Sequence, residues 1–367
     1  MTKLLVNDAT AHAPAVPLAS TVSTSLPQVR LVNIDDTYAG QRLDNFLLRE
    51  LKGVPKTHVY RIIRAGEVRV NKGRAQADTR LVAGDVVRVP PVRVSERMEQ
   101  KAAVIASAAL AQRAAPAKSF PILFEDDYFL AINKPAGTAV HGGSGVSFGV
   151  IEQLRMARPD AKFLELVHRL DRETSGILLI AKRRSALVHL QNQFKERETG
   201  KTYLALVKGA WPANKKVLDQ PLHKYLVNGG EDDGERRVKV VAKNDPDGMR
   251  AITLVKVAKS IPLRAEQIEA LKKSVASSDR LEFFTLLEVT IKTGRTHQIR
   301  VHLASNGHVI LGDDKYGDFE LNKALHKHGL KRMFLHAWRL RLQHPASGEE
   351  ITFNCELPPE LAIFITA

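Results

Sequence analysis

The segment "GILLIAK" (176–182) constrains the fold more than any other stretch of the chain. Five consecutive apolar residues, Ile177 to Ala181, read as a strand buried on both faces. The residues before it are of the opposite character. "HRLDRETS" (168–175) carries His168, Arg169, Asp171, Arg172 and Glu173 up to the edge of the apolar run. Unpaired charges do not follow a strand into a core. They must stay in a loop at the end of the sheet, with Thr174-Ser175-Gly176 as the turn into it.

Further apolar runs repeat the theme. "FLAINKP" (129–135), "TYLALVKG" (202–209) and "FFTLLEVTIK" (283–292) have strand length and composition. "GVIEQLRMA" (149–157) and "SALVHLQNQFKE" (185–196) have helical spacing. Residues 120–367 are therefore expected to form a mixed α+β domain on a substantial, mainly antiparallel sheet. Residues 256–282 look long for a connection between strands. "AEQIEALKKSVA" (265–276) within them has helical spacing, with Ile268 and Leu271 on one face. A tolerated surface insertion is the simpler reading, contact with RNA or a ribosomal protein the other.

The front of the chain reads as a separate small domain, residues 30–95. Leu43, Phe46, Leu47 and Leu51 form one helical stripe, and Val59, Ile62 and Ile63 a second, ended by Gly66. "EVRVN" (67–71) and "DVVRVP" (85–90) alternate as two strands of a hairpin. Residues 96–119 are Ala-rich and read as a linker, and residues 1–29 as a disordered tail. Asp8 and His12 interrupt any signal-peptide core in that tail. No apolar run reaches the roughly 18 residues of a membrane span.

Charge narrows the class of partner. The 367 residues hold 55 Lys and Arg against 40 Asp and Glu, a net charge of +15. That excess favours an anionic partner, nucleic acid first, although a basic but otherwise ordinary protein has the same sum. Residues 41–95 alone hold twelve basic side chains against five acidic ones. Lys56, Arg61 and Arg64 are candidates to meet an RNA backbone, Arg61 and Arg64 sharing one helical face. A further basic stretch at 318–334 has no evident purpose. The single cysteine, Cys355, allows no intrachain disulfide and fits a reducing cytoplasm.

Metal-ligand spacings such as H-E-x-x-H are absent, as are a phosphate loop of the G-x-x-x-x-G-K type and a G-x-S-x-G nucleophile elbow. No metal and no cofactor is expected. Three charged constellations remain. In "HRLDRETSG", Arg169 and Arg172 flank Asp171, and positive neighbours favour the carboxylate over the acid. Such an aspartate can be a nucleophile or a base, or it can simply pair within the loop. In "ETGKTYLALVKG", Lys201 and Tyr203 lie on one face of a strand, offering either a stacking ring or an ordinary half-exposed strand. In "TGRTHQIRVHLASNGHVILGDDKYG", Arg295, His297, Arg300 and His302 concentrate hydrogen-bond donors.

Taken together, "NKPAGTAVHGG", "HRLDRETSGILLIAK", "KTYLALVKG", "TGRTHQIRVH" and "LGDDKYG" resemble the RluA-type pseudouridine synthases, over about 120–358. "RLDNFL", "RIIRAGEVRVN" and "AGDVVRV" resemble the small RNA-binding domain first recognised in ribosomal protein S-four. The resemblance implies isomerisation of uridine to pseudouridine in RNA without a cofactor. It makes Asp171 the essential catalytic residue, Tyr203 the ring against the flipped base, and Arg300 the partner of the aspartate. It associates Arg169 with the place the flipped nucleotide vacates, and leaves Lys134 and His141 without a role. Arg295 and His297 are taken as RNA contacts. Whether Asp171 attacks the ribose, deprotonates it or adds to the uracil ring stays open. The implied partner is 23S ribosomal RNA or a ribosomal precursor particle, met by a cytoplasmic monomer. The alternatives are the same chemistry on another ribosomal site or a transfer RNA, and a non-catalytic assembly factor.

Overall fold

The computed structural model describes residues 28–35, 38–51, 54–92, 120–142, 148–227, 235–263, 265–272 and 282–366. The expected linker at 96–119, and all but the last two residues of the expected tail, lie outside these. The chain divides into two compact units, 1–104 and 105–367.

The first unit contains β1 (Arg30–Asn33), α1 (Leu43–Glu50), α2 (Lys56–Arg64), β2 (Arg69–Val70), β3 (Gly73–Arg74) and β4 (Val86–Val89). The two apolar stripes meet: Leu43, Phe46 and Leu47 pack with Val59, Ile62 and Ile63 over Val87 and Val89. Gly66, with φ of +74°, lets the chain leave α2 in a left-handed turn. The expected β2–β4 pairing is present, Arg69 opposite Arg88 and Val70 opposite Val87. The sheet is larger than a hairpin, running β1-β4-β2-β3. β1 was not visible in the sequence, because "RLVN" is short and mostly exposed, with no alternation to mark it. Asp44 is buried and satisfied by Arg42, by the Tyr60 hydroxyl and by the backbone N–H of Asn45. The Arg42 hydrogen bond is the main reason its carboxyl sits below the usual range.

The second unit contains β5 (Ile122–Glu125), β6 (Phe129–Lys134), α3 (Val150–Ala157), β7 (Glu165–Leu166), β8 (Ser175–Ala181), α4 (Arg184–Glu196) and β9 (Gly200–Lys208). There follow β10 (Val217–Asp219), β11 (Leu222–Val227), β12 (Glu235–Val240), β13 (Ile252–Pro262), α5 (Ala265–Lys272) and β14 (Phe283–Ile291). The chain closes with α6 (Gln298–Ser305), α7 (Phe319–Lys327), β15 (Leu335–Gln343), β16 (Glu350–Asn354) and α8 (Pro359–Ala362). One sheet runs β10-β13-β14-β9-β15-β8-β6-β5, with β16 beside β15 and β7 beside β8. Its pairs are antiparallel except β8–β15. β11 and β12 form a separate antiparallel ribbon.

All seven residues of β8 are buried, and their alternation explains the unbroken apolar run. Ile177, Leu179 and Ala181 pack with Leu187 and Leu190 of α4. Leu178 and Ile180 face the other way, into a cluster with Val150, Ile151 and Leu154 of α3. The expected insertion is shorter than it looked. "KVAKSIP" (256–262) belongs to β13 and pairs with β14 through a bulge between Val257 and Lys259. That bulge breaks the strict alternation by which a strand is recognised. Helical residues begin at Ala265, and the Leu271 side chain lies outside the described residues.

β8 and β15 meet at Gly176, opposite Ala337. Gly176 has φ of +107°, and a Cβ there would lie 2.3 Å from the Ala337 carbonyl oxygen. Gly176→Ala should lower stability by at least about 2 kcal/mol from backbone strain alone, seen as a lower melting temperature. An unchanged melting temperature would show that this close crossing is not needed.

Candidate active site

The loop that carries Asp171 is held at both ends and from below. Before it, Val167 donates its N–H to Leu179 O, and Leu179 donates its N–H to His168 Nε2 at 3.2 Å. Leu170 is buried in the core, and Thr174 N–H closes the turn onto Asp171 O. After it, Ser175 Oγ lies 2.8 Å from His336 Nδ1 and accepts from Arg332 Nη2 at 2.6 Å. His336 Nε2 faces Cys355 O at 3.0 Å, so its proton belongs on Nε2 and Ser175 donates to Nδ1.

Lys134, left without a role by the sequence, supports the loop from below. Its buried ammonium donates to Pro135 O, Thr138 O and Arg172 O at 2.8, 2.9 and 3.0 Å. Burial pushes its pKa down to about 7. Three carbonyls nevertheless take up all three N–H donors of the charged form. Arg172 Nε donates to Gly137 O, a second stitch between the same two loops.

Arg300, on α6, reaches Asp171 from across the cavity. Its Nη1 is 3.6 Å from Asp171 Oδ2. Its other edge is already committed: Nε and Nη2 bind the two oxygens of Asp313 at 2.7 and 2.6 Å, and Nη2 also meets Asp314 at 3.1 Å. Asp313 is 1% exposed and also accepts from the N–H groups of Lys315 and Tyr316. Burial works against charge on both groups. Their mutual attraction reverses this, so the Asp313 carboxyl lies below its usual range and the Arg300 guanidinium above its own. Asp313 was in a matched motif but went unread, the "DD" doublet being its only signal.

Tyr203 stands on β9, opposite Val289 of β14 and Ala337 of β15. Burial, and then the charge of Asp171, raises its phenol pKa, so the hydroxyl is protonated at neutral pH. Asp171, Tyr203 and Arg300, separated in sequence, line one cavity of about 110 Å3 together with Thr174, Ile291 and Leu335. That volume lies below the range of pockets that enclose whole small molecules. It suits one ring rather than an entire nucleotide.

His297, taken from the sequence as an RNA contact, also lies in this cluster. Its Nε2 is 3.9 Å from Asp171 Oδ2, and its Nδ1 is 2.8 Å from the Tyr316 hydroxyl. Burial lowers its pKa against the pull of Asp171. His297 has φ of +53°, which turns it toward the aspartate just before α6 begins. Arg169 flanks Asp171 in sequence but not as an ion-pair partner. It is exposed at the cavity rim, and among the described residues it makes no ion pair with the aspartate. Backbone direction explains this, since neighbours two apart in a turn need not converge. Arg295 is exposed on the same rim and donates to Arg250 O. In the first unit, Lys56, Arg61 and Arg64 are all exposed on α2 and pair with no carboxylate among the described residues.

The neighbours of Asp171 are cationic or neutral donors, a poor setting for a metal ion. His223, Asp245 and Asp247 come within 4.8 Å of one another. None of them lines the Asp171 cavity.

Comparison with known proteins agrees with this geometry. A family model described as RNA pseudouridylate synthase matches residues 128–305, and an S4 domain model matches 41–87. Ribosomal large subunit pseudouridine synthase C of Yersinia pestis is 50% identical over 340 residues, covering 93% of this chain and 96% of that protein. The protein of the same name from Escherichia coli strain K12 is 48% identical, covering 89% and 93%. The chain belongs to the RNA pseudouridylate synthase family. A solved structure, human RNA pseudouridylate synthase domain containing 4, aligns with a TM-score of 0.52 at 26% identity, covering 70% of this chain and 97% of that one. As in the pseudouridine synthase reading of the sequence, the chain is an RNA pseudouridine synthase with an S4 domain at its front. Among the described residues no helix is long and apolar enough to cross a membrane.

Two histidines that fix the Asp171 loop give the synthase's stability a pH dependence. Burial pushes both His168 and His336 down to about 4. In the unfolded chain each takes up its proton near 6.5. Between these values the unfolded state binds more protons, so stability falls as pH falls from about 6.5 to about 4. Each pKa unit corresponds to about 1.4 kcal/mol. Denaturant melts at pH 7 and pH 5 should show this loss, and His336→Gln should reduce it. Equal stability at both pH values would contradict the neutral state of these rings.

Proposed function

We propose that this chain isomerises specific uridines of 23S ribosomal RNA to pseudouridine, with Asp171 as the essential catalytic residue. The observation that carries the reading is the convergence of Asp171, Tyr203 and Arg300 on one ring-sized cavity. The large-subunit substrate rests on the names of relatives that match over nearly their whole length. The chain acts as a cytoplasmic monomer on the RNA or on a ribosomal precursor particle. Residues 30–95 and 120–367 are its two working domains, joined by 96–119.

A paired uridine hides its glycosidic bond, so it is first flipped out of the helix at a cost of a few kcal/mol. Arg169 and Arg295, on the cavity rim, are placed to offset this through the RNA backbone or the vacated stack. Lys56, Arg61 and Arg64 supply sequence-independent backbone attraction from the first domain. In the cavity the N1–C1′ bond breaks, the base turns, and a C5–C1′ bond forms. N1 gains a proton and C5 loses one, so nothing is oxidised and no outside group is consumed. Among the described residues Asp171 is the only carboxylate lining the cavity. Attack on the ribose, deprotonation of it, and addition to the uracil ring all begin from that carboxylate in its ionised form. Arg300 holds it in place through Nη1. Tyr203 packs its ring against the flipped base.

Cells lacking this protein, complemented with wild type or with Asp171→Asn, test the reading through a pseudouridine map of their RNA. Wild type should restore specific sites in 23S RNA and Asp171→Asn none, with accumulation of the variant unchanged. Restoration by Asp171→Asn would remove Asp171 from the chemistry. Restoration only in transfer RNA would move the same chemistry to another substrate, and an identical map in all strains would favour a binding role.

A further inference from the structure

A groove of about 500 Å3 adjoins the catalytic cavity and shares Arg169, Tyr203, Gly294 and Arg295 with it. Lys201 lines this groove from β9, on the same strand face as Tyr203. The lysine is only 9% exposed. Its ammonium sits 5.2 Å from the centre of the Phe194 ring, and among the described residues no carboxylate or hydrogen-bond acceptor reaches it. The flat wall below is neutral, with His168 stacked on Phe194 at 4.7 Å. Arg197 and Lys292, the charged groups that act on Lys201, are cations that line the same groove. Burial lowers the Lys201 pKa, and those two cations lower it further.

A nearly buried cation among cations is costly unless something negative completes the site. Packing on Phe194 alone would be served by an uncharged side chain. Arg197 makes a second, independent point. It caps α4 in the left-handed region, with φ of +67° and ψ of +28°. Glycine is the usual occupant of that position and would be free of strain there. Here an arginine stands where the backbone favours glycine.

We propose that Lys201, with Arg197 and Lys292, forms a subsite for one phosphodiester of the RNA strand flanking the uridine in the cavity. This rests on the proposed function and adds to it the group that sets how far the flipped nucleotide enters. Lys201 is a positioning residue: it touches the backbone of the substrate, and the bonds that change lie at Asp171 and Tyr203. A charge-assisted contact of this kind is strong, and its loss should raise KM by roughly tenfold or more.

The test uses the full chain acting on total RNA from cells lacking this protein, so the result does not depend on which RNA carries the target. Lys201→Met should raise KM, leave kcat near wild type, and keep or raise the melting temperature. The slope of log affinity against log salt should become shallower by about 0.7 to 0.9, the loss of one phosphate contact. Lys201→Arg should restore most of the KM. Arg197→Gly should raise the melting temperature while weakening KM, two changes of opposite sign that a structural role does not produce. Wild-type KM and salt slope in Lys201→Met overturn the subsite. Absence of pseudouridine formation by wild type would instead sink the proposed function. In that event filter binding of single-stranded RNA decides the subsite, an unchanged salt slope in Lys201→Met overturning it.

Discussion

The forked contact between Arg300 and Asp313 is the interaction on which the proposed catalytic centre depends. A guanidinium beside a lone carboxylate tends to close on it with two parallel hydrogen bonds. Such a clamp on Asp171 would cover both of its oxygens. Here Asp313 takes the Nε and Nη2 edge, leaving only Nη1 toward Asp171 at 3.6 Å. The aspartate thus gains a positive neighbour and keeps an oxygen for the substrate. Asp313 can do this because it is itself fixed by two backbone N–H groups and is almost fully buried. Breaking such a buried pair by removing one partner costs about 3–5 kcal/mol.

The sheet brings these groups together. β8 and β9 both pair with β15, so the loop before β8 and the face of β9 meet over one stretch of sheet. Asp171 comes from the first, Tyr203 from the second, and Arg300 from α6, which follows β14, the other neighbour of β9. Lys134, at the end of β6, ties the Asp171 loop to the neighbouring loop through three carbonyls. Groups held on a rigid sheet end need little ordering when a base enters the cavity, which suits the catalytic role proposed for them.

Much of this was legible in the sequence. The apolar run at 177–181 announced a strand buried on both faces, and the charged segment before it announced a loop at the sheet end. Asp171, Tyr203 and Arg300 were identified by motif, and the structure brings them to one cavity. What escaped was three-dimensional partnership. Nothing local in "LGDDKYG" says that its first aspartate grips an arginine thirteen residues earlier. Lys134 reads as an ordinary strand lysine until the three carbonyls around it are seen. His297 read as one donor among several, and neither its left-handed backbone nor its approach to Asp171 has a local signal in the sequence. Arg169 and Asp171 are close in sequence, yet among the described residues the turn between them makes no ion pair. β1 and the bulged half of β13 were missed because short or irregular strands lack the alternation that reveals them.

Asp313→Asn tests the dependence of Asp171 on Arg300 most directly. The amide keeps the size of the carboxylate and one acceptor, but removes the charge and the second acceptor that hold the guanidinium edge. Steady-state kinetics on large-subunit ribosomal RNA should show kcat falling by at least tenfold with KM nearly unchanged, an effect of roughly 1.4 kcal/mol or more on the chemical step. A folded Asp313→Asn protein with wild-type kcat would contradict the account, because Asp171 would then not depend on how Arg300 is held.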